Sequence, residues 1–240
     1  MPGTSINRKE LYNSIWSVIH IAALSLRDTE DSRNEYISML KSLKVILPDK
    51  SARMTLRIFM DMTTDILNKA LTGPSDKNGY NVELFTWTYN LHNFATVIKR
   101  MESLGSMPGD MYVDRGESVD FNTAYRQHTN INSTKDWGPF FWNVIHGLSL
   151  DLDTYIKKES YQRFIWSLRH TLPCSVCSNH LREKLQSQEF SMDALSEVLF
   201  SSNSRRNTFA FTVRLHNNVN RDVGNRIITF EEATQIHPYY

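Results

Sequence analysis

Cysteine is nearly absent: the chain has two in 240 residues. That excludes the disulfide scaffold of a small secreted domain and a structural zinc site made of thiolates alone, which takes four. Neither sign of charge is in excess. With 27 basic and 26 acidic side chains the formal net charge is +1, so no field draws the chain to nucleic acid or to an anionic membrane. The pair Arg205-Arg206 reads as a solvated helix start. No apolar run approaches the ~20 residues of a membrane-spanning helix. The first nine residues, Met1 to Lys9, lack the apolar stretch of a secretory signal. The expectation is an intracellular protein, cytoplasmic or nuclear, which a partner could carry into a virion or other compartment.

What is present is ordinary in bulk, 40% hydrophobic and 22% charged, as expected of a globular chain. It is also written twice. Ile15-Trp16-Ser17-Val18-Ile19-His20 returns 126 residues later as Phe141-Trp142-Asn143-Val144-Ile145-His146. Leu47-Pro48 returns 125 residues later as Leu172-Pro173. The segment from Phe85 through Leu91-His92-Asn93 returns 124 residues later as Phe209 through Leu215-His216-Asn217. Three matches in register argue for a repeat. Each copy has apolar residues at three- and four-residue steps, such as Tyr12, Ile15, Trp16, Ile19 and Ala23, or Phe141, Ile145, Leu148 and Leu152. Helices are predicted over 32–46, 50–69, 83–104, 159–171, 173–187, 192–201, 205–222 and 230–236. The fold expected is all-α: two tandem four-helix bundles. The first unit is assigned to 8–104, a linker with Gly105, Pro108, Gly109 and Gly116 to 105–136, and the second unit to 137–237.

The two cysteines stand together as Pro173-Cys174-Ser175-Val176-Cys177. In the first copy Asp49 and Ala52 occupy their places. Proline pre-sets a helix start, and free amides and the dipole there favour a thiolate. Cys177 falls one turn further along the same face. The geometry suits reversible disulfide formation. Two other readings stay open. The pair could be buried as small apolar side chains. Or Cys174, Cys177 and His180, with His170 or His216 as a fourth ligand, could hold zinc, although no second tight pair of ligands exists. A thioredoxin-like motif needs a strand before the cysteines, and the preceding segment has a helical pattern.

Trp142 and His146 share one helix face. His216-Asn217-Asn218-Val219-Asn220 places polar groups of low helix propensity on an otherwise apolar bundle face, which fits a flat polar ligand between helices. The ordered set Trp137-Gly138-Pro139-Phe140-Phe141-Trp142-x3-His146, Pro173-Cys174-x2-Cys177 and Leu215-His216-Asn217-x-Val219-Asn220-x3-Gly224 resembles the Erv/ALR flavin-linked sulfhydryl oxidases over about 100 residues. The resemblance implies a four-helix bundle with a short fifth helix and an FAD cofactor at its mouth. It implies that Cys177 lies against the flavin and that Cys174 exchanges with a dithiol substrate, protein or small molecule. It assigns cofactor contacts to Gly138, Trp142, His146, His216, Asn217, Val219, Asn220 and Gly224. The reaction implied turns a dithiol and molecular oxygen into a disulfide and hydrogen peroxide.

Pro139 stands where many members have Arg, and Asn225 where many have Lys, so Arg226 or Arg221 is expected at the diphosphate. The shuttle disulfide of many members is missing too. The WGP variant and the missing shuttle fit a viral source. The first copy keeps Trp16, His20, His92 and Asn93, but Tyr12 replaces Gly138, and Ala95-Thr96 replaces Val219-Asn220. A degenerate unit without FAD is expected, packed on the active one as an internal pseudo-dimer. That arrangement resembles the one in quiescin sulfhydryl oxidases and in the baculovirus sulfhydryl oxidase. Two chains could still associate as a homodimer. The alternative functions are a zinc-stabilised module or an inert helical scaffold.

Overall fold

The computed structural model describes residues 6–103, 120–131 and 133–237; Gly105, Pro108, Gly109 and Gly116 of the expected linker lie outside them. Among the described residues there are twelve helices and no strand. The first six are α1 (Ile6–Leu24), α2 (Glu30–Ile46), α3 (Lys50–Met62), α4 (Thr64–Leu71), α5 (Val82–Ser103) and α6 (Phe121–Thr129). The second six are α7 (Thr134–Ser149), α8 (Tyr155–Thr171), α9 (Ser175–Gln186), α10 (Met192–Leu199), α11 (Ser204–Asp222) and α12 (Phe230–Ile236).

Most starts are set by a short polar side chain that accepts an orphan amide of the first turn. Thr29, Asp49, Asp120, Thr154 and Ser191 do this at α2, α3, α6, α8 and α10. Ser133 with Asp136, and Thr229 with Glu232, form reciprocal boxes at α7 and α12. The stretch 50–69 is two helices, not one. The break falls at Thr63, whose hydroxyl donates to the Phe59 carbonyl (2.6 Å) and accepts from the Trp87 indole (3.0 Å).

Within each half the long helices pack in matching pairs, α1 with α5 and α7 with α11. The halves meet through equivalent helices, α1 on α7 and α2 on α8. One cluster of buried apolar side chains runs without interruption through both. At the α1–α7 crossing a side chain at Gly147 would put its Cβ 2.6 Å from Leu11 Cδ1; hydrogen at that position lets the two helices touch. Asn143 Nδ2 bridges them further, donating to Ser14 Oγ (2.6 Å) and to the Glu10 carbonyl (3.3 Å).

The segment read as a linker contains α6, which packs on α1 and α5. Phe121 meets Phe85 edge-on at 5.7 Å as Phe230 of α12 meets Phe209 at 5.6 Å. His128 lies 4.8 Å from His20 as His237 lies 5.3 Å from His146. So α6 does for the first half what α12 does for the second.

Candidate functional site

Proline sets the approach to α9, but one residue earlier than a first helical position. Cys174 is itself the N-cap, with extended backbone, and its Sγ accepts the Cys177 amide at 3.2 Å. The two sulfurs are joined as a disulfide, with Cα atoms 5.1 Å apart. Cys177 lines a cavity of about 850 Å³ and Cys174 does not. Both are half-buried, and Val176 between them is 58% exposed. Cys177 therefore serves the cavity wall, and Cys174 lies off it at the start of the same turn.

The far wall is built on α7 and α11. Trp142 lies flat on His216, centroids 4.1 Å apart and planes at 11°. His216 is held by a relay. The Thr212 hydroxyl donates to the Phe209 carbonyl (2.8 Å), which can only accept. His146 Nδ1 therefore carries the proton it shares with Thr212 Oγ1 (2.9 Å), leaving its Nε2 to accept from His216 Nδ1 (3.0 Å). The chain ends at His216 Nε2, a bare acceptor. Burial holds His216 and His237 at about 4 and His146 well below the usual histidine value, so the three rings stay neutral near pH 7.

Gly138, Val219 and Asn220 also line the cavity; Asn217, Gly224 and Arg226 do not. Asn217 grips the chain beyond α11, donating to the Ile228 carbonyl (2.7 Å) and accepting its amide (3.0 Å). Asn220 donates to the Arg226 carbonyl (3.0 Å). Gly224, at φ 71°, supplies the left-handed turn that sends this segment back. Two of the expected ligand-binding groups thus hold the strap 225–228, whose Asn225 and Ile228 line the cavity. Arg226, expected at the diphosphate, pairs its guanidinium with Glu232 of α12 and does not line the cavity. The cationic group on the wall is Lys135, two residues before the tryptophan motif. Pro139 removes the amide that would bond the Lys135 carbonyl. Arg221 is not on the wall either.

The wall also takes residues from the first half: Glu10, Asn13 and Ser14 of α1. The proposed zinc ligands are not gathered. Among the described residues no group of three or more His, Cys, Asp or Glu side chains could hold a metal, and the two sulfurs are bonded to each other.

The first half repeats the relay. Thr88 donates to Phe85 (2.8 Å), His20 Nδ1 meets Thr88 Oγ1 (2.8 Å), His20 Nε2 meets His92 Nδ1 (3.2 Å), and Trp16 lies on His92 at 4.1 Å and 8°. A second cavity of about 680 Å³ adjoins it. Tyr12 crosses that cavity's wall, its hydroxyl accepting the Asp49 amide at 2.9 Å. Burial pushes the Tyr12 hydroxyl up to about 12.

Comparison with known proteins matches residues 139–237 to the Erv1 / Alr family. An FAD-linked sulfhydryl oxidase of African swine fever virus (isolate Tick/Malawi/Lil 20-1/1983) is 32% identical over 104 residues, 42% of this chain and 79% of that protein. The chain belongs to the Erv1/Alr family. A probable FAD-linked sulfhydryl oxidase of Acanthamoeba polyphaga mimivirus is a further Erv1/Alr relative, 29% identical over 106 residues, 43% of this chain and 69% of that protein. No solved structure matches this Erv1/Alr chain. No described helix is long and apolar enough to cross a membrane.

Proposed function

We propose that this chain is an FAD-linked sulfhydryl oxidase whose active pair is Cys174 and Cys177. The observation that carries the reading is the placement of the disulfide at the start of α9, with Cys177 on the cavity wall and Cys174 off it. The cavity suits the cofactor. Its volume of about 850 Å³ is in the range of cofactor sites. It offers a flat face at Trp142 and His216, a neutral acceptor at His216 Nε2, amides at Asn220 and Asn225, and one ammonium at Lys135.

The protein's part is thiol exchange. A substrate thiolate attacks Cys174 Sγ, the sulfur off the cavity wall, and the Cys174–Cys177 bond breaks with its electron pair on Cys177. The second substrate thiolate then displaces Cys174, which releases the substrate as a disulfide and leaves both cysteines reduced. The amides and dipole at the start of α9 stabilise the negative sulfur at each step; the Cys177 amide already points at Cys174 Sγ. FAD, held against Trp142, His216 and Cys177 on the cavity wall, would supply the two-electron acceptor for this pair and the route from it to molecular oxygen. The balance is dithiol plus oxygen to disulfide plus hydrogen peroxide.

The first half is a degenerate unit without flavin, joined to the second as an internal pseudo-dimer. Three things support this. Equivalent helices form the junction. Asp49 and Ala52 replace the sulfurs. Tyr12 stands in the wall beside them, bonded to the Asp49 amide, while α5 runs on to Ser103 so that Lys99 and Glu102 join the wall. With α6 assigned to it, this unit runs to about residue 131 and the linker shrinks to the residues before α6.

The test is the visible spectrum of the purified protein. One flavin per chain, bleached by dithiothreitol without oxygen and restored by air, is expected. A protein that takes up no FAD would overturn the reading, and two flavins per chain would overturn the account of the first half.

A further inference from the structure

We infer that Arg27, a residue of the half without cysteines, is a positioning residue for the disulfide of the other half. Arg27 sits in the turn between α1 and α2, half-buried against the end of α8. Its Nη2 donates to the His170 carbonyl (2.9 Å) and to Ser178 Oγ (3.1 Å). The first is a carbonyl of the last turn of α8, where a cation suits both the unpaired acceptor and the dipole. The second is the residue next to Cys177. Ser178 is fully buried; its hydroxyl donates back to the Leu172 carbonyl (3.4 Å) and its amide to the Cys174 carbonyl (2.9 Å). One guanidinium thus ties both arms of the elbow Leu172-Pro173-Cys174, the turn that presents the reactive sulfur.

The repeat supplies the contrast. In the first half, Arg53 stands where Ser178 stands in the second. It clamps its own elbow, donating to the Leu47 carbonyl and to the Pro48 carbonyl (3.0 Å). The counterpart of Arg27 is Asp153, which is bound by Lys157. Each elbow therefore has one guanidinium, but the elbow with the cysteines has lost its own and takes one from across the junction. A serine stands beside Cys177 in place of the arginine, and the brace comes from the α1–α2 turn of the other half.

The inference concerns opening of the disulfide. It rests on the proposed oxidase only for its place in turnover, and the labelling rates that decide it are read without flavin. Oxidised full-length protein is mixed with dithiothreitol without oxygen and quenched with a maleimide, and the doubly labelled fraction is followed by mass. Arg27→Met should open about tenfold more slowly, the scale of losing hydrogen bonds to a charged donor. Arg27→Lys should fall between it and the wild type. Ser178→Ala should slow opening less, and adding it to Arg27→Met should slow the reaction no further. Re-oxidation of bleached flavin in air should keep its wild-type rate, which general damage to the fold would not spare.

Wild-type opening in Arg27→Met overturns the inference, as do strictly additive losses in the double variant. Should Arg27→Met fail to fold, Ser178→Ala and Arg27→Lys decide: both opening at the wild-type rate overturns it, and slowing in both upholds it. A wild-type protein that takes up no flavin sinks the proposed oxidase, and the labelling rates still decide the role of Arg27.

Discussion

In one half Trp16 lies on His92, in the other Trp142 lies on His216, both at 4.1 Å. The relays behind them agree in every partner. Six residues before Ala52 and Cys177 the helices end alike, at Ile46 and Thr171; at the sulfur positions themselves the halves part. Two different costs account for the pattern. His20 and His146 are 3% and 2% exposed, and removing either would leave buried partners unpaired, at about 1–3 kcal/mol. The first cysteine is cheap to replace, because its structural job is a helix cap. Asp49 takes the Ala52 amide at 3.0 Å where Cys174 takes the Cys177 amide at 3.2 Å, and aspartate caps well. The buried relay is costly to change and the capping position is not, which is where the two halves agree and where they differ.

The largest break in the comparison should come from sulfur. Cys177→Ser is expected to lower oxygen consumption with dithiothreitol by about a thousandfold, roughly 4 kcal/mol in barrier. Asp49→Ser and Ala52→Ser together should leave it unchanged. Next comes the cofactor face. Trp142→Ala should cost about a hundredfold in FAD affinity, the scale of a large aromatic anchor, whereas Trp16→Ala should leave flavin per chain as it was. Absorbance after gel filtration reads both.

At the junction, Gly147→Val should destabilise by about 1–3 kcal/mol through overpacking against Leu11, seen as a lower denaturation midpoint. Acid should act on both halves alike. His92, His216 and His237 are held at about 4 against an ordinary 6.5, so the unfolded chain takes up protons first. Stability is full above about pH 6.5 and declines as pH falls toward 4. Urea midpoints at pH 7 and pH 5 check the sign, and a higher midpoint at pH 5 would contradict it. The smallest effect belongs to Tyr12→Phe, which removes the acceptor of the Asp49 amide at a cost of about 1 kcal/mol and should move the melting temperature without changing flavin content.

The helical class was legible from apolar spacing and the repeat from three matches in register; that Gly138, Trp142, His146, Cys177, His216, Val219 and Asn220 share a site was implied by the resemblance of their motifs to the Erv/ALR family, and these residues line one cavity. What escaped lies where spacing fails. The partner of His237 is His128, only 109 residues earlier rather than 124–126, so α6 looked like linker. Thr63 interrupts a helix with no glycine or proline to announce it; its hydroxyl answers to Trp87, a tertiary neighbour. Arg226 looked free for an anion, but Glu232, on the first turn of α12, claims it. Asn217 looked like a ligand contact, and its amide instead matches the backbone of a strap eleven residues on. Glu10, Asn13, Ser14 and Arg27 belong to the other copy, and nothing local links them to the cysteines.

Asn13 lines both cavities. It is a party wall. Whatever alters its size or polarity is felt in two rooms at once, so the half without thiols is not free to vary along this face of α1. The half without cysteines and the half with them hold that side chain in common, and a change made there for one is a change made for the other.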